Sequence, residues 1–453
     1  MNSLERRGTF SLAGIYALRM LGLFMILPVF SLYAESLEGH TPTLIGLALG
    51  IYGLTMALFQ IPFGMLSDRF GRKPVIMVGL LLFTVGSVIA ATSDSIVGVI
   101  IGRAIQGAGA IAAAMMALLA DLTREEHRTK AMAFMGISIG ISFTLALVLG
   151  PFLNNVFGVA GIFWLTAVLA IAGIGVLYLI VPDPDPGQCH VHRDAETVPA
   201  QLKQVIFDGQ LLRLDLGIMI QHGIMMAMFT ALPFVLRDFL NLPSREHAWF
   251  YLPVLVLSAF GMVPLIIIAE KKQKMKQVFL LCVSFMAVAE CMLGLYHESL
   301  FAVAAGLLFF FIAFNTLEAS LPSLISRMAP VDGKGTAMGV YSTSQFFGAF
   351  VGGAFGGYAY GALGVQGVFY ACAAAAFLWI AIAAGMRVPG YLSSYMVHVD
   401  LSLHGNSAAL TDRLLAVAGV HEAKVVAEDG TAYLRIDRQK FNPDDVNRLL
   451  AAD

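Results

Sequence analysis

Long apolar segments alternate with short polar loops along most of the chain. A helix crosses the bilayer core with about 20 apolar residues, and a window of that length predicts twelve spans in two sets of six. The first set is residues 10–34, 43–66, 73–93, 96–120, 130–152 and 160–181. The second set is residues 211–238, 247–269, 276–296, 300–328, 335–361 and 366–387. The pattern therefore predicts an all-α membrane protein with two six-helix halves, 1–181 and 211–390, joined by a linker at 182–210.

The pattern changes after the twelfth span. Residues from Tyr395 to Leu401 alternate apolar and polar side chains as in a half-buried strand, and Ser407 to Ala418 have helical periodicity. Two further strand-like segments flank Asp429 and Gly430, a pair typical of a hairpin turn. A last helical segment completes a βαββα order. We therefore predict a small ferredoxin-like α/β domain at residues 391–453.

Composition supports the membrane assignment and excludes several classes of function. Of 453 residues, 58% are hydrophobic and only 13% are charged, with mean hydropathy +0.79, whereas soluble domains carry about 25% charged residues. The four cysteines have no CxxC spacing, so neither a disulfide framework nor a metal site is indicated. No P-loop or nucleophile motif occurs, which argues against ATP hydrolysis and against an enzyme. The basic clusters are short loops and not a nucleic-acid surface.

Lysine and arginine in the short loops predict the orientation. They concentrate on the side that carries Arg69 to Lys73, and only Arg237 and Arg245 fall on the other side. Because cytoplasmic loops are enriched in these residues, we expect the basic side to be cytoplasmic. An even number of spans places both termini there, and the apolar segment after Arg7 is too long for a secretory signal.

Three short motifs resemble a known family. The loop after the second span, Gly64-Met-Leu-Ser-Asp68-Arg69-Phe-Gly71-Arg72-Lys73, fits the signature G-x-L-[AS]-D-R-x-G-R-[RK] of the major facilitator superfamily. The segment from Arg103 to Gly109 in the fourth span is similar to the family pattern R-x-x-Q-G-x-G. Gly150 and Pro151 in the fifth span resemble the core of the antiporter motif, whose trailing glycines are replaced here by asparagines.

The resemblance is closest to twelve-span drug:proton antiporters, and within them to bacterial YajR-type transporters with a cytoplasmic C-terminal domain. It implies a bacterial inner membrane protein, expected as a monomer, that exports a lipophilic or amphipathic small molecule by alternating access. The proton gradient would supply the energy, without a cofactor. The tail resembles a heavy-metal-associated domain by topology but lacks its CxxC, so metal binding is not carried over.

The resemblance implies a gating latch in the signature loop. Gly64 would let another helix approach, and Gly71 belongs to the same motif. Asp68 would bind the positive N-terminal end of the eleventh span, near residues 335–337. Arg72 would hold Asp68 and pair with Asp121 at the end of the fourth span. Alternatively, the loop fixes only the topology of the chain through its basic residues.

Charged residues inside spans are the remaining candidates, because they usually face a cavity or a partner. The resemblance links Arg103 to proton coupling, and Glu318 is a candidate proton-binding acid together with Asp68. A weaker set could line the substrate cavity: Arg19, Met25, His222, Met226 and Asn315. For each of these residues a packing or hydrogen-bonding role in the bundle interior stays open.

Two other functions stay open at this point. The first is an importer or facilitator of a metabolite with the same fold. The second is a transporter-like membrane sensor that signals through the C-terminal domain. The domain itself could dock on the helical bundle, bind a cytoplasmic ligand, or only add stability.

Overall fold

The structure is a computed structural model, and it describes residues 1–183, 199–330, 333–386, 393–399, 407–426, 431–437 and 440–451. Within these ranges each predicted span is helical, although the spans predicted at 10–34 and 96–120 are each divided between two consecutive helices. The helices of the first half are α1 Ser3–Phe24, α2 Leu27–Ala34, α3 Pro42–Phe70, α4 Arg72–Thr92, α5 Ile96–Ala108, α6 Ala112–Asp121 and α7 Glu125–Leu179. Those that follow are α8 Pro199–Ile206, α9 Gly209–Phe234, α10 His247–Lys271, α11 Met275–Leu295, α12 Leu300–Met328 and α13 Lys334–Ala384.

Hydroxyl side chains mark several helix starts at the polar loops. The Thr41 hydroxyl accepts a hydrogen bond from the N–H of Leu44, and proline occupies the first position of α3. Ser95 caps α5 and Ser299 caps α12 in the same way. These side chains satisfy backbone N–H groups that the first turn of a helix leaves without a partner. The polar loop residues therefore define where each apolar segment begins as a helix.

Ten helical segments are long and apolar enough to cross a membrane in the part of the chain that the structure describes. Two of them, Lys130–Leu179 and Lys334–Ala384, have 50 and 51 residues. At 1.5 Å per residue each would extend about 75 Å if straight, against about 30 Å of bilayer core. Each contains one glycine with a positive φ angle, Gly158 at 66° and Gly364 at 69°. Glycine tolerates this backbone conformation, which breaks the helix.

Packing contacts show that the chain turns back at Gly158. Gly150 packs against the backbone of Met25, and Thr166 packs against Gly22. Gly150 and Thr166 are sixteen positions apart, which is about 24 Å along a straight helix, whereas their partners on α1 and its C-cap are three positions apart. The two parts of α7 therefore lie side by side in opposite directions.

α13 folds back in the same manner at Gly364. Gly352, before the break, packs against the backbone of Gly223, and the Cys372 thiol, after the break, lies 3.9 Å from the carbonyl oxygen of Ile224. Twenty positions in α13 thus correspond to one position in α9. Each long helix forms two antiparallel segments.

The bundle has two ends, which we name by residues. The Arg72 end is where α3 ends and α4 begins, and Gly71 makes the sharp turn there with a φ angle of 92°. The Glu35 end is where α2 ends, before α3 starts at Pro42. The residues between the two halves include α8 at Pro199–Ile206, so the second part of the predicted linker is helical. Residues 184–198 of that linker lie outside the described residues.

The tail forms a separate small sheet. Its elements are β1 Ser393–His398, α14 Ser407–Leu415, β2 Val420–Val426, β3 Thr431–Ile436 and α15 Pro443–Ala451. The strands pair antiparallel in the order β1-β3-β2, and Leu434 stands opposite both Tyr395 and Ala423. Leu414, Leu434 and Val446 form its apolar core. This is the predicted βαββα order with a split βαβ unit, and the predicted turn at residues 429–430 lies outside the described residues.

Candidate gating contacts and substrate cavity

The signature loop brings together the three charged residues that the sequence singled out. Arg72 is the first residue of α4, and its Nη1 donates a hydrogen bond to the Asp68 carboxylate. Its Nε donates to Asp121 Oδ2 at 3.1 Å. The Arg72 and Asp121 side chains are 14% and 13% exposed, whereas Asp68 is 38% exposed. Arg72 therefore bridges the ends of α3 and α6, and Asp68 is the member of the trio that is open to a further partner.

The sequence reasoning missed Ser67. This side chain is buried; its hydroxyl accepts a hydrogen bond from Arg72 Nη1 at 2.8 Å and donates one to the carbonyl of Gly64 at 2.7 Å. A Cβ added at Gly64 would lie 3.3 Å from Cβ of Ala113 in α6. Ser67 thus fixes the guanidinium of Arg72, and its place in the signature motif was the available signal.

The predicted contact between Asp68 and the start of α13 is not made in this conformation. Among the described residues, the polar partner of Asp68 is Arg72 and not residues 335–337. The two halves instead meet near the Glu35 end, where α3 packs on α13. An added Cβ would lie 2.2 Å from the Gly353 carbonyl oxygen at Gly46 and 2.4 Å from the Phe346 carbonyl oxygen at Gly53. Only glycine allows backbones this close. The contact of Asp68 with α13 stays a prediction for another conformation.

Ionic contacts reinforce the closure at the Glu35 end. Arg237, in a π-helical turn at Val235–Phe239 after α9, donates to Glu35 at 2.5 Å and to Asp238 at 2.6 Å. π-helical turns are frequent at functional sites. The amide of Asn155 donates to the backbone carbonyl of Arg245 at 3.2 Å. The two basic residues that broke the charge pattern therefore both lie at contacts between the halves.

A polar network surrounds Glu318 inside the second half. The amides of Gln345 and Gln221 donate to its two carboxylate oxygens at 3.0 and 3.2 Å. His222 Nε2 lies 2.9 Å from the Gln345 amide nitrogen and 3.8 Å from Glu318. Although Glu318 lies inside the bundle among these side chains, 35% of its own side chain is exposed. The carboxylate therefore lines an accessible space between the helices. Gln221 and Gln345 were missed by the sequence reasoning.

The structure places two predicted cavity residues elsewhere. Arg19 is 2% exposed inside the first half, where its Nη2 donates to the Gly109 carbonyl at 2.7 Å and its guanidinium lies over the Phe83 ring. Gly109 separates α5 from α6, so Arg19 supports that break. Met25 is fully buried, and its backbone packs against Gly150. Both side chains are therefore buried in packed protein.

The other three weak candidates lie in the second half. Met226 is 6% exposed and belongs to its apolar core. The Asn315 amide donates to the Ser258 hydroxyl at 3.4 Å and joins α12 to α10. His222, by contrast, is part of the Glu318 network described above.

Arg103 is fully enclosed by the first half. Its guanidinium donates to the carbonyls of Ala48 and Leu49 at 3.3 Å and to the Gln106 side chain at 3.3 Å, and it lies over the Tyr52 ring. The side chain therefore joins α5 to α3. This geometry fits the structural alternative for Arg103, and its role in proton coupling stays a prediction.

Gly150 of the antiporter motif makes a close helix contact. An added Cβ there would lie 2.2 Å from the carbonyl oxygen of Met25, and Pro151 follows inside α7. The close approach lies at the break between α1 and α2. No group of three potential metal ligands occurs among the described residues.

Two helical halves that pack closely at the Glu35 end, with an acidic residue accessible in the interior, are the architecture of a membrane transporter. The chain belongs to the Major Facilitator Superfamily, whose model matches residues 12–343 and 274–392. It is therefore a membrane-spanning transporter and not an enzyme, and it takes small-molecule substrates within a lipid bilayer.

Known proteins that resemble the chain are transporters as well. It is 47% identical to the inner membrane transport protein YajR of Escherichia coli over 98% of this chain and 97% of that protein. It is 25% identical to the multidrug resistance protein MdtH of Proteus mirabilis over 75% of this chain and 84% of that one. A bacterial homologue of the human lysosomal transporter Spinster, solved in an inward-facing, occupied conformation, covers 85% of this chain and 96% of its own, with a TM-score of 0.70 and 14% identity.

Proposed function

We propose that the protein is a proton-coupled exporter of a lipophilic or amphipathic small molecule. The observation that carries the proposal is the close packing of the two halves at the Glu35 end, with Glu318 accessible in the interior. A cavity of this form takes a substrate from one side of the membrane. The antiporter motif at Gly150 and Pro151 and the similarity to multidrug resistance proteins support the direction and the substrate class.

We infer twelve membrane crossings with the Arg72 end in the cytoplasm. The reversals of the chain at Gly158 and Gly364 support counting α7 and α13 as two spans each. The basic loops support the orientation, and both termini then face the cytoplasm. With this orientation, the close packing at the Glu35 end leads us to infer an inward-facing state. In bacteria of the Escherichia coli type the membrane would be the inner one, as for the YajR relative.

The gating cycle follows from the two ends of the bundle. In the inward-facing state the contacts at Glu35, Arg237 and Gly46 hold the outer side closed. In the outward-facing state Asp68 binds the N-terminal end of α13, where backbone N–H groups carry partial positive charge. Arg72, which also pairs with Asp121, keeps Asp68 in position for this contact. Protonation of Asp68 removes the attraction and reopens the inner side. One proton moving down 100 mV contributes about 2.3 kcal/mol to this cycle.

The C-terminal domain contacts the bundle in this state. The Arg435 guanidinium of β3 donates to the backbone carbonyl of Ala329, which caps the C-terminus of α12. A cation is favourable there because the last carbonyls of a helix carry partial negative charge. This contact supports docking of the domain on the bundle, beside the helix that carries Glu318.

Transport in proteoliposomes tests the function. Ethidium is a suitable lipophilic probe. When a proton gradient is imposed, we expect ethidium to move in the direction opposite to the flow of protons, and to stop moving when a protonophore removes the gradient. Movement of ethidium in the same direction as the protons would indicate an importer. Movement that does not need a proton gradient would indicate a facilitator. Deletion of residues 391–453 should leave basal flux, whereas a sensor that signals through the tail would lose its output.

A pair of matched variants tests the latch. Arg72→Gln and Arg69→Gln each remove one positive charge from the same loop, but Arg72 pairs with Asp68 and Asp121, whereas Arg69 lies beside Phe70. The latch predicts that only Arg72→Gln and Asp68→Asn lose transport while membrane insertion stays normal. Equal loss in both arginine variants would instead support a purely topological loop.

A further inference from the structure

One amide group joins Glu318 to His222 inside the second half. The Nε2 atom of Gln345 on α13 lies 3.0 Å from Glu318 Oε1 and 2.9 Å from His222 Nε2. The direct distance between His222 Nε2 and Glu318 Oε2 is 3.8 Å, which is too long for a hydrogen bond. The two titratable side chains are therefore connected through Gln345, and the contact joins α9, α12 and α13.

The place of the Gln345 amide between two titratable groups restricts their protonation. An amide nitrogen carries two hydrogens, and an amide oxygen has two lone pairs. With its nitrogen between the two groups, Gln345 donates to both, so Glu318 must be a carboxylate and His222 Nε2 must have a lone pair. With the amide rotated by half a turn, its oxygen accepts from both groups, so Glu318 must be a carboxylic acid and His222 Nε2 must carry a hydrogen. A proton on only one of the two groups places two donors or two acceptors in contact, and the lost hydrogen bond lowers the population of that state about tenfold.

We propose that Gln345 is a positioning residue that makes Glu318 and His222 take up and release their protons together. In the unprotonated state the amide nitrogen of Gln345 donates to both groups, which is the arrangement in the structure. Two protons from water in the accessible space beside Glu318 then form one O–H bond on Glu318 and one N–H bond on His222, and the amide rotates to accept from both. Release reverses these steps, and Gln345 neither gains nor loses a proton. The charge of the site thus changes by two in one step.

A direct charge interaction between Glu318 and His222 would have the opposite effect. A proton on His222 would then stabilise the Glu318 carboxylate, because opposite charges attract, and the two groups would not bind protons at the same time. The bridge through Gln345 instead stabilises the states in which both groups are protonated or neither is. The sign of the cooperativity in proton binding therefore distinguishes the two interactions.

The other titratable groups around this pair do not differ between the variants that test it. Tyr16 of α1 and Tyr341 of α13 interact electrostatically with Glu318, and Asp215 of α9 interacts with Tyr341. Tyrosine keeps its proton below about pH 10, and Asp215 is seven positions, about 10 Å along α9, from His222. Within the part of the chain that the structure describes, His222 is the basic side chain that lies within 4.0 Å of the Glu318 carboxylate.

Gln221 provides a matched control on the same carboxylate. Its Nε2 donates to Glu318 Oε2 at 3.2 Å and to the backbone carbonyl of Phe314 at 3.4 Å. A backbone carbonyl only accepts hydrogen bonds, so Gln221 keeps its nitrogen in this position and does not connect Glu318 to a second titratable group. Gln221→Met and Gln345→Met thus each remove one hydrogen bond to Glu318, but only Gln345→Met removes the bridge to His222.

Titration of the reconstituted full chain tests the proposal without a substrate. The infrared C=O band of protonated Glu318 is assigned by its loss in Glu318→Gln. The ring nitrogen resonances of His222 in isotope-labelled protein are assigned by their loss in His222→Phe. In the wild type we expect both signals to change at the same pH. For a coupling of about tenfold, the Glu318 band should rise from about 10% to about 90% of its intensity over about 1.3 pH units, against about 1.9 for an independent group.

The two glutamine variants then show whether Gln345 carries the coupling. Gln345→Met should separate the two titrations and broaden that of Glu318 to at least the width of an independent group, whereas Gln221→Met should keep the two titrations together. Separate titrations of Glu318 and His222 in the wild type would overturn the proposal, and so would a joint titration that persists in Gln345→Met. Because the wild-type result can refute the proposal by itself, the test does not depend on the folding of any variant.

The proposal rests on the proton-coupled function proposed above, and ethidium transport separates the two. If the wild type does not exchange ethidium for protons but Glu318 and His222 still titrate together, the proposed function fails and the bridge through Gln345 stands. If ethidium is exchanged for protons but the two groups titrate separately, the bridge fails and the proposed function stands.

Discussion

Substitution of Gly46 by alanine should open the Glu35 end. The Cβ added at Gly46 would lie 2.2 Å from the carbonyl oxygen of Gly353 and 2.6 Å from Cα of Gly357. Ordinary contacts begin near 3.4 Å, so α3 and α13 must separate by about 1.2 Å to relieve the clash. Both partners are backbone atoms, which cannot rotate away as a side chain would.

The cost applies to the closed state alone. Overpacking of a tight contact costs about 1–3 kcal/mol, and each 1.4 kcal/mol changes an equilibrium about tenfold. The variant should therefore shift the population toward the state open at the Glu35 end by about 5- to 150-fold. The gain in helix propensity of alanine over glycine, about 1 kcal/mol, applies equally in both states and does not move this equilibrium.

Distances between spin labels can measure the shift. Labels at the exposed positions 40 and 246 report the Glu35 end, in a background without the four native cysteines. We expect a longer distance for Gly46→Ala and for Gly53→Ala, whose added Cβ would meet the Phe346 carbonyl at 2.4 Å.

Gly136→Ala is the control, since an added Cβ at Gly136 has nothing within 4 Å. It adds the same methyl group to a helix that can accommodate it, so its distances should equal those of the wild type. If Gly46→Ala also gives the wild-type distribution, the close approach of α3 and α13 does not hold the gate, and the reasoning is refuted.

Three further predictions concern other contacts. Glu35→Gln removes one ion pair of Arg237, and because both side chains are more than a third exposed, the closed state should lose about 0.5 kcal/mol of stabilisation. The same spin labels should then show a two- to threefold shift toward the state open at the Glu35 end. If the distances do not change, this ion pair does not contribute to the gate. Gly71→Ala forces alanine into a φ of 92°, which costs about 1–2 kcal/mol and should lower the melting temperature, whereas Gly136→Ala should not. If Gly71→Ala and the wild type melt at the same temperature, the turn does not require glycine. Arg435→Gln should weaken the contact between the C-terminal domain and the bundle, so that a protease cleaves the chain faster after residue 386 while the helical bundle stays intact. If the rate of cleavage does not change, this contact does not hold the domain on the bundle.

Local patterns explain why much of the fold could be predicted from the sequence. A span needs only a run of apolar residues, and the predicted spans agree with the helices to within several residues, including the two pairs that the structure joins at Gly158 and Gly364. The approach of Asp68 and Arg72 is local too, because residues four positions apart across a tight turn are neighbours. The pairing of Arg72 with Asp121, by contrast, joins residues 49 positions apart, and it was predicted only from the family resemblance.

The cavity was harder to predict because it depends on helix rotation. Arg19 and Glu318 are both charged residues within spans, yet Arg19 faces a carbonyl in the first half and Glu318 faces accessible space. Nothing in the neighbouring residues distinguishes the two. Likewise Gly136 and Gly46 are both glycines within spans, but only Gly46 packs against another backbone.

The order of residues was enough to define the class of the protein: the spans, the side rich in basic loops, the order of the tail elements and the signature loop. These features depend on the length of each apolar segment and on the charges beside it, and a bilayer accepts or excludes each segment according to these local properties. Which end of the bundle is closed, and which acid is accessible, became clear only from the packed helices. Those properties depend on how two halves of the same chain pack against each other, because residues that are far apart in the sequence come together there.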